Sequence, residues 1–256
     1  MFLIFFFILG SLWGSFSNVC IYRLPKNESV VFDRSYCLGC KKKIKWFDNI
    51  PLISFVLLKG KCRQCDFKIS PQYFMVELLT AITFTLVYLN YGFSITTLLF
   101  IILTVFFVII FFIDLKHYII LNELTFPLMF IGFIKSFDPN LNQNLFPNYI
   151  NSLIGGVCGY FIIWLIIFLY KKIRNKEGMG LGDAKLLSAI GFWFGWVSIP
   201  IVIFFSSIIA LVSVIPSLIN KSRNLSAEIP FGPFLIIASV IFIIFGNLIK
   251  LVMFNL

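Results

Sequence analysis

Four cysteines stand in two Cys-x-x-Cys pairs, Cys37 with Cys40 and Cys62 with Cys65, and 21 residues separate the pairs. Each pair can place two thiolates on one side of a tight turn, and two pairs complete the tetrahedron that a zinc ion prefers. The separation is just beyond the usual spacing of about 15–20 residues. The pattern predicts a structural zinc site, because four thiolates leave no open position for a reactive water.

The alternative for these four cysteines is a pair of disulfide bonds. Disulfides are rare in the reducing cytoplasm, so the choice depends on which side of a membrane the segment faces. The two remaining cysteines, Cys20 and Cys158, have no partner pattern and are expected to be buried apolar residues.

Acidic residues are the second group that could do chemistry. Four of the eleven lie within or at the ends of apolar runs: Glu77, Asp114, Glu123 and Asp183. An ionisable group at membrane depth costs several kcal/mol unless it is paired or hydrated, so each position is a functional candidate. Three glycines precede Asp183 and would let another backbone approach closely: Gly178, Gly180 and Gly182.

The composition places these residues in a membrane protein. Apolar and aromatic residues make up 60% of the 256 residues, charged residues make up 12%, and the mean hydropathy is +0.98. A soluble domain carries about 25% charged residues, and a disordered chain is poor in apolar residues, so both classes are excluded. Because a span needs about 20 apolar residues, the chain can form a polytopic bundle and one small module outside the membrane.

Eight apolar runs predict an all-α fold with eight transmembrane helices. They are residues 1–19, 72–90, 96–113, 119–134, 150–170, two runs within 186–219 that are broken near 195–200, and 231–254. Residues 1–19 lack the basic start and the cleavage site of a signal peptide, so a retained span is expected. The polar stretch 20–71, here called the cysteine module, is predicted to be a small zinc-ribbon-like insertion. The predicted division is a first helix at 1–19, this module, and a transmembrane domain at 72–256.

Basic residues are clustered along the chain. Of 21 lysines and arginines, eleven lie between residues 23 and 68, and five lie between residues 171 and 185. This clustering is typical of the positive-inside rule and predicts that the basic segments face the cytoplasm, with both termini on the opposite side. The cysteine module then lies in a reducing compartment, which favours zinc over disulfides. The net charge of +10 indicates contact with anionic lipid and no binding of nucleic acid.

The same topology places Asp114 and Asp183 at one face of the membrane and at similar depth. Two carboxyl groups that share a site cannot easily both ionise, so one stays protonated while the other can act as a base. This is the acid–base pair of an aspartic protease. The alternative is that each aspartate only caps a helix at the membrane surface, and the residues alone leave both interpretations open. Lys185 and the single histidine, His117, are expected to be interfacial.

Further short motifs follow one another along nearly the whole chain. They are GSFSNV at 14–19, RLP at 23–25, PQYFMVELL at 71–79, GLGDAK at 180–185 and IPFGPF at 229–234. With the cysteine pairs and Asp114, they resemble the prepilin peptidases, or type IV leader peptidases, which are membrane aspartic proteases of the GxGD class. Asp114 matches the first catalytic aspartate of that family, and Asp183 matches the second. The cysteine pairs match the family's cytoplasmic zinc insertion.

One departure from the family pattern is visible. The family often has Ile-Pro-Asp shortly after the first aspartate, and this chain has Ile120, Leu121 and Asn122 there. Loss of the proline predicts a less sharply bent start of the fourth span. Asp114 itself is retained, so the departure does not endanger the expected catalysis.

The resemblance implies a bifunctional enzyme of the cytoplasmic (inner) membrane, with residues 72–256 as its transmembrane peptidase domain. Family members cut the basic leader from prepilins and pseudopilins at the cytoplasmic face, and those with the zinc insertion also N-methylate the new N-terminal residue. The implied cofactors are structural Zn²⁺ on the four cysteines and S-adenosylmethionine as methyl donor, for which no contact residue is identified. The implied partners are prepilins or pseudopilins and membrane lipid.

Two other functions are compatible with the residues. A membrane transporter or channel with a cytoplasmic zinc module could use the carboxylates at membrane depth as an ion pathway. A peptidase that has lost its methyltransferase activity would carry the same motifs. The glycine-rich approach to Asp183 and the shared level of both aspartates favour a protease over a transporter.

Overall fold

The computed structural model describes residues 1–31, 35–141, 146–175, 180–219 and 229–254. Gly178, one of the three glycines noted before Asp183, lies outside the described residues. The described residues form nine α-helices, which are numbered in chain order: α1 Phe2–Arg23, α2 Ile53–Leu57, α3 Pro71–Tyr91, α4 Ile95–His117, α5 Asn122–Ile134, α6 Tyr149–Arg174, α7 Leu181–Phe194, α8 Ser198–Ile219 and α9 Gly232–Phe254.

Each of the eight apolar runs forms one helix, and α2 is a short additional helix inside the cysteine module. Across the described residues there are two isolated β-bridges and no sheet, which confirms the all-α fold. The break predicted near residues 195–200 is also confirmed. α7 ends at Phe194, Gly195 follows with a positive φ of 79°, which suits glycine, and α8 begins at Ser198.

Five segments of the described chain are long and apolar enough to span a membrane: Phe2–Lys26, Pro71–Tyr91, Ile95–His117, Tyr149–Arg174 and Ser198–Ile215. By contrast, α5 has 13 residues and α7 has 14. Helices of this length measure about 20 Å, well short of a hydrocarbon core of about 30 Å. The chain is therefore a multi-pass membrane protein, but the predicted count of eight spans is not confirmed.

In the unit formed by residues 1–109, α1 and α3 pack closely through two glycines of α1. Cβ atoms built on Gly10 and Gly14 would lie 2.7 Å and 2.6 Å from Cα atoms of α3. Distances this short exclude any side chain, so the small-xxx-small spacing of these glycines sets the approach of the two helices. The Asn18 side chain, one turn further along α1, donates to the Tyr73 carbonyl oxygen at 3.0 Å.

In the unit formed by residues 110–256, α6 and α7 also approach through glycines. A Cβ atom on Gly155 would lie 2.5 Å from the Gly191 carbonyl oxygen, so this contact has no room for a side chain. The Ser188 hydroxyl donates to the Gly156 carbonyl oxygen at 2.8 Å and adds a polar contact across the interface. Small residues thus hold α7, which carries Asp183, tightly against α6.

Lys135 ties the ends of α5 and α7 together. Its side chain is buried, and its Nζ donates to the Trp193 carbonyl oxygen at 2.8 Å and lies 3.9 Å from the centroid of the Phe146 ring. The Trp193 indole donates in turn to the Leu128 carbonyl oxygen of α5 at 2.8 Å. A cation is favourable beside the last carbonyls of a helix and over an aromatic ring, which offsets the cost of burying the ammonium group.

We expect Gly191→Leu to lower the melting temperature of the detergent-solubilised protein, because the new side chain would collide with the α6 backbone. Overpacking of a tight contact costs about 1–3 kcal/mol of stability. The measurement is thermal unfolding followed by circular dichroism. Val157→Leu is the matched control, since Val157 of α6 is 58% exposed. Equal melting temperatures for the two variants would contradict the close approach of α6 and α7.

Candidate functional site

Asp114 lies in the last turn of α4 and is held by the start of α9. Its side chain is 4% exposed, and its Oδ2 accepts a hydrogen bond from the Gly232 backbone N–H at 3.0 Å. Gly232 is the first residue of α9, so the carboxyl group meets the positive end of that helix. A Cβ atom on Gly232 would lie 2.6 Å from Oδ2. A side chain at position 232 would therefore displace the Asp114 carboxyl group from this amide.

Asp183 lies in the first turn of α7 and also meets a helix start. Its side chain is 8% exposed and accepts a backbone hydrogen bond from Gly180, the residue that precedes α7. An acidic side chain at the third helical position that bonds back to the residue before the helix is one half of a capping box. The Asp183 carboxyl group is thus bonded to the backbone at the N-terminus of its own helix.

The structure brings the two aspartates into one site, here called the acidic site. Contacts through Gly232 and Ile120 place Asp114 beside the start of α7, which carries Asp183. Ile120, in the turn between α4 and α5, contacts the glycines that border the site. A Cβ atom on Gly182 would lie 2.8 Å from Ile120 Cβ, and one on Gly232 would lie 3.0 Å from Ile120 Cδ1. Each carboxyl group meets a helix start and the two lie in one site, so the geometry fits both interpretations that the sequence leaves open.

Lys185 and His117 lie close in sequence to the two aspartates. Lys185 Nζ donates to Asn122 Oδ1 at 2.6 Å, which joins the second turn of α7 to the first residue of α5. The Lys185 ammonium group is thus hydrogen-bonded to Asn122, the last of the three residues, 120–122, that depart from the family pattern. His117 is exposed at the end of α4, as expected of an interfacial residue.

The other two acidic residues of the apolar runs have different surroundings. Glu77 of α3 is 8% exposed, and its Oε2 accepts a hydrogen bond from the Leu52 N–H at 2.8 Å. Leu52 directly precedes α2 and has a φ of 62°, a strained value for a residue with a side chain. Glu77 therefore anchors a turn of the cysteine module to a membrane helix. Glu123 is exposed in the first turn of α5.

The four predicted zinc ligands lie together in the cysteine module. The Sγ atoms of Cys37, Cys40, Cys62 and Cys65 are within 4.8 Å of one another, and those of Cys37 and Cys65 are 3.7 Å apart. A disulfide has a sulfur–sulfur distance of about 2.05 Å, so these thiols are free. Tetrahedral zinc with sulfur at about 2.3 Å gives sulfur–sulfur distances of about 3.8 Å. The cluster therefore has the ligand type, number and size that zinc requires.

Two equivalent turns present the cysteines. In the first turn, the Lys41 N–H donates to the Cys37 carbonyl oxygen at 2.9 Å, and Lys41 has a φ of 60°. In the second turn, the Asp66 N–H donates to the Cys62 carbonyl oxygen at 3.1 Å, and Asp66 has a φ of 52°. An isolated antiparallel bridge flanks each turn. The same backbone path at both pairs directs all four sulfur atoms to one point.

Comparison with known proteins adds two family matches that cover these sites. Residues 8–91 match the bacterial peptidase A24 N-terminal domain, and residues 101–215 match the type IV leader peptidase family. The Neisseria gonorrhoeae protein named prepilin leader peptidase/N-methyltransferase is 37% identical over 90% of this chain and 86% of its own length. Proteins of the same name from Xanthomonas campestris and Pseudomonas aeruginosa are 37% and 33% identical, over 93% and 94% of this chain and 90% and 89% of theirs. No solved structure is significantly similar to the chain.

We expect Glu77→Ala to speed hydrogen exchange at the Leu52 amide by about tenfold, because removal of the acceptor leaves a donor unsatisfied at a cost of about 1–3 kcal/mol. The measurement is hydrogen–deuterium exchange of peptides that cover residues 50–58, read by mass spectrometry. Glu77→Gln is the matched control, since its amide oxygen can still accept the bond. Unchanged exchange in the alanine variant would show that Glu77 does not anchor this turn.

Proposed function

Because the chain belongs to the type IV leader peptidase family, we propose that it is an aspartic endopeptidase that removes the basic leader of prepilins or pseudopilins. The observation that carries this proposal is the pair of buried carboxyl groups, Asp114 in the last turn of α4 against the start of α9 and Asp183 in the first turn of α7. These are the proposed catalytic residues. The names of the relatives, which combine prepilin leader peptidase with N-methyltransferase, support two activities in one chain.

In the proposed mechanism, a water molecule attacks the carbonyl carbon of the scissile peptide bond. One carboxylate accepts a proton from this water, while the other group, which is protonated, donates its proton to the carbonyl oxygen. When the C–N bond breaks, the leaving amine takes up the proton that the first carboxylate accepted, and a hydroxyl group of the tetrahedral intermediate returns a proton to the second carboxylate. No covalent enzyme intermediate forms. The two groups titrate as a coupled pair, so the roles of acid and base belong to the pair.

The apolar helix of the substrate would lie in the bilayer and present its leader at the membrane surface. Asp114 lies in the last turn of α4 and Asp183 lies in the first turn of α7, so both belong to helix ends. A scissile bond at the junction between leader and apolar helix would stand at the same level. This placement supports a substrate that is itself a membrane helix.

The four cysteines would bind one zinc ion with a structural role. The distances between their sulfur atoms support this assignment, and a closed set of four thiolates supplies no reactive water. Bound zinc would supply folding free energy to the cysteine module. A segment of about 50 residues has too small a core to be stable without such a staple.

The second proposed activity is N-methylation of the new N-terminal amine, with S-adenosylmethionine supplying the methyl group from its sulfonium sulfur. The described helices include no glycine-rich turn between a strand and a helix of the kind that binds dinucleotides. No residue of this chain is therefore assigned to the methyl donor. The relatives' names carry this part of the proposal.

The proposed location is the cytoplasmic (inner) membrane, with the cysteine module on the cytoplasmic side. The clustering of basic residues between 23 and 68 supports this orientation. The division into a first helix at 1–19, the module at 20–71 and a transmembrane peptidase domain at 72–256 belongs to the same proposal. The comparisons give no support to the alternative of a transporter or channel.

We expect Asp114→Asn and Asp183→Asn each to abolish leader cleavage while the protein stays inserted and folded. Asparagine keeps the size of the side chain but cannot exchange a proton, and general acid–base catalysis contributes about 10²–10⁴-fold in rate. The measurement is mass spectrometry of the N-termini of co-expressed prepilins. Glu123→Gln, which changes an exposed carboxylate of α5, is the matched control. Near-normal cleavage by either Asn variant would remove that residue from the pair.

We expect Cys37→Ser to lower the zinc content and to reduce N-methylation more than cleavage. The two aspartates lie outside the cysteine module, so breaking the peptide bond does not use the metal directly. The measurements are elemental analysis of the purified protein and the ratio of methylated to unmethylated mature pilin. Cys158→Ser changes a cysteine outside the cluster and is the matched control. Loss of cleavage with full methylation of the remaining product would contradict this division.

A further inference from the structure

The cysteine module exposes a group of large apolar side chains outside the membrane-spanning helices. Trp46 is 75% exposed, Ile53 is 56% exposed, Val56 is 62% exposed and Leu57 is 74% exposed. Single apolar residues are common on protein surfaces, whereas a contiguous group marks a surface for a partner or a membrane. These four residues, here called the apolar face, lie within twelve consecutive residues.

Local structure places the four side chains in one region. The three apolar residues of α2 have i, i+3 and i+4 spacing and therefore project from one side of that helix. Ser54 of α2 is buried, and its hydroxyl donates to the Phe47 carbonyl oxygen at 3.0 Å. This bond holds the 3-10 turn Trp46–Asn49, which carries the exposed tryptophan, beside α2.

A hydrogen bond attaches the start of α2 to a membrane helix. Leu52, which directly precedes α2, donates its N–H to Glu77 at 2.8 Å. Glu77 is the seventh residue of α3, which begins at Pro71 and is long and apolar enough to span a membrane. Six residues of helix rise about 9 Å, so this bond lies within the first two turns of α3. The start of α2 is therefore bonded close to one end of a membrane-spanning helix.

The stretch of chain that contains the apolar face is rich in cations. Between residues 35 and 70 eight lysines and arginines are exposed, and the same stretch contains only two acidic residues, Asp48 and Asp66. Asp48 is already paired with Arg63 at 2.8 Å. The stretch thus carries a formal charge of +6, which anionic phospholipid headgroups attract.

We propose that the apolar face inserts into the interfacial layer of an anionic phospholipid leaflet and that the lysines of the same stretch bind the lipid phosphates. Tryptophan is enriched at this depth because its ring is apolar while its N–H can bond to headgroups. An apolar surface bounded by cations is typical of segments that lie in the plane of the interface. The contact gives the cysteine module an attachment to the membrane in addition to α1 and α3.

The test uses the full chain in nanodiscs that contain phosphatidylglycerol. The difference in emission between the wild type and Trp46→Phe isolates the fluorescence of Trp46 from that of the other four tryptophans. We expect a blue-shifted emission that acrylamide in the water does not quench and that bromine atoms near the glycerol end of the acyl chains do quench. Emission typical of water, with full quenching by acrylamide, would overturn the proposal.

A variant of the apolar face gives a second, independent measurement. We expect Val56→Ser combined with Leu57→Ser to abolish bromine quenching of Trp46 and to make it accessible to acrylamide. Val31→Ser is the matched control, because Val31 is 76% exposed in the same module but outside the apolar face, and it should leave quenching unchanged. Equal loss of quenching in the control would overturn the assignment of the contact to this face. The wild-type measurement decides the proposal even where the double variant folds poorly.

Two comparisons separate lipid from other occupants of the apolar face. We expect weaker quenching of Trp46 in nanodiscs of phosphatidylcholine alone, and equal quenching in both lipids would overturn the role of the lysines. Shielding of Trp46 that appears only after a prepilin peptide is added would identify a substrate surface and overturn the proposal. Shielding that appears only when two chains share one disc would identify a dimer contact, with the same consequence.

Discussion

The structure depends on holding two buried carboxyl groups, those of Asp114 and Asp183, where they have little contact with water. An unpaired charge at membrane depth costs several kcal/mol. Each aspartate instead lies against the N-terminus of a helix. The Asp114 carboxyl group accepts a hydrogen bond from the Gly232 N–H at 3.0 Å, and Asp183 lies in the first turn of α7. A helix start stabilises a negative charge by about 0.3–2 kcal/mol. When two carboxyl groups share one site, one of them tends to stay protonated while the other is ionised. Acid–base catalysis requires this combination of one proton donor and one proton acceptor.

The helices of the second unit fix where these helix starts lie. α7 has only 14 residues, and the bond from Lys135 to Trp193 holds its far end. Glycine contacts with α6 hold it along its length. A long helix with loose neighbours could slide or tilt and carry Asp183 away from Asp114. The geometry of the acidic site therefore depends on small residues far from the aspartates.

The chemistry was more predictable from the sequence than the geometry. The cysteines and the aspartates stood out as candidates because zinc coordination and proton transfer accept few residue types, and the apolar runs located every long helix. Helix lengths were harder to predict. The fourth apolar run covers residues 119–134, but its helix, α5, begins only at Asn122 and has 13 residues. The bond between Asp114 and Gly232 joins residues 118 positions apart, and no local pattern signals it. In the sequence, Glu77 was one of four functional candidates. Its hydrogen bond from the Leu52 N–H shows instead that it anchors a turn of the cysteine module.

The amide of Gly232 also sets the register of α9. On one side, Pro233 has no N–H to donate. On the other side, Phe231 has a Cβ atom, and a Cβ atom at the position of Gly232 would lie 2.6 Å from Asp114 Oδ2. A slide of α9 by one residue in either direction would break this bond and supply no replacement. The axial position of the last helix is therefore tied to the support of one proposed catalytic carboxyl group, because only this position of α9 supplies the Gly232 amide to Asp114.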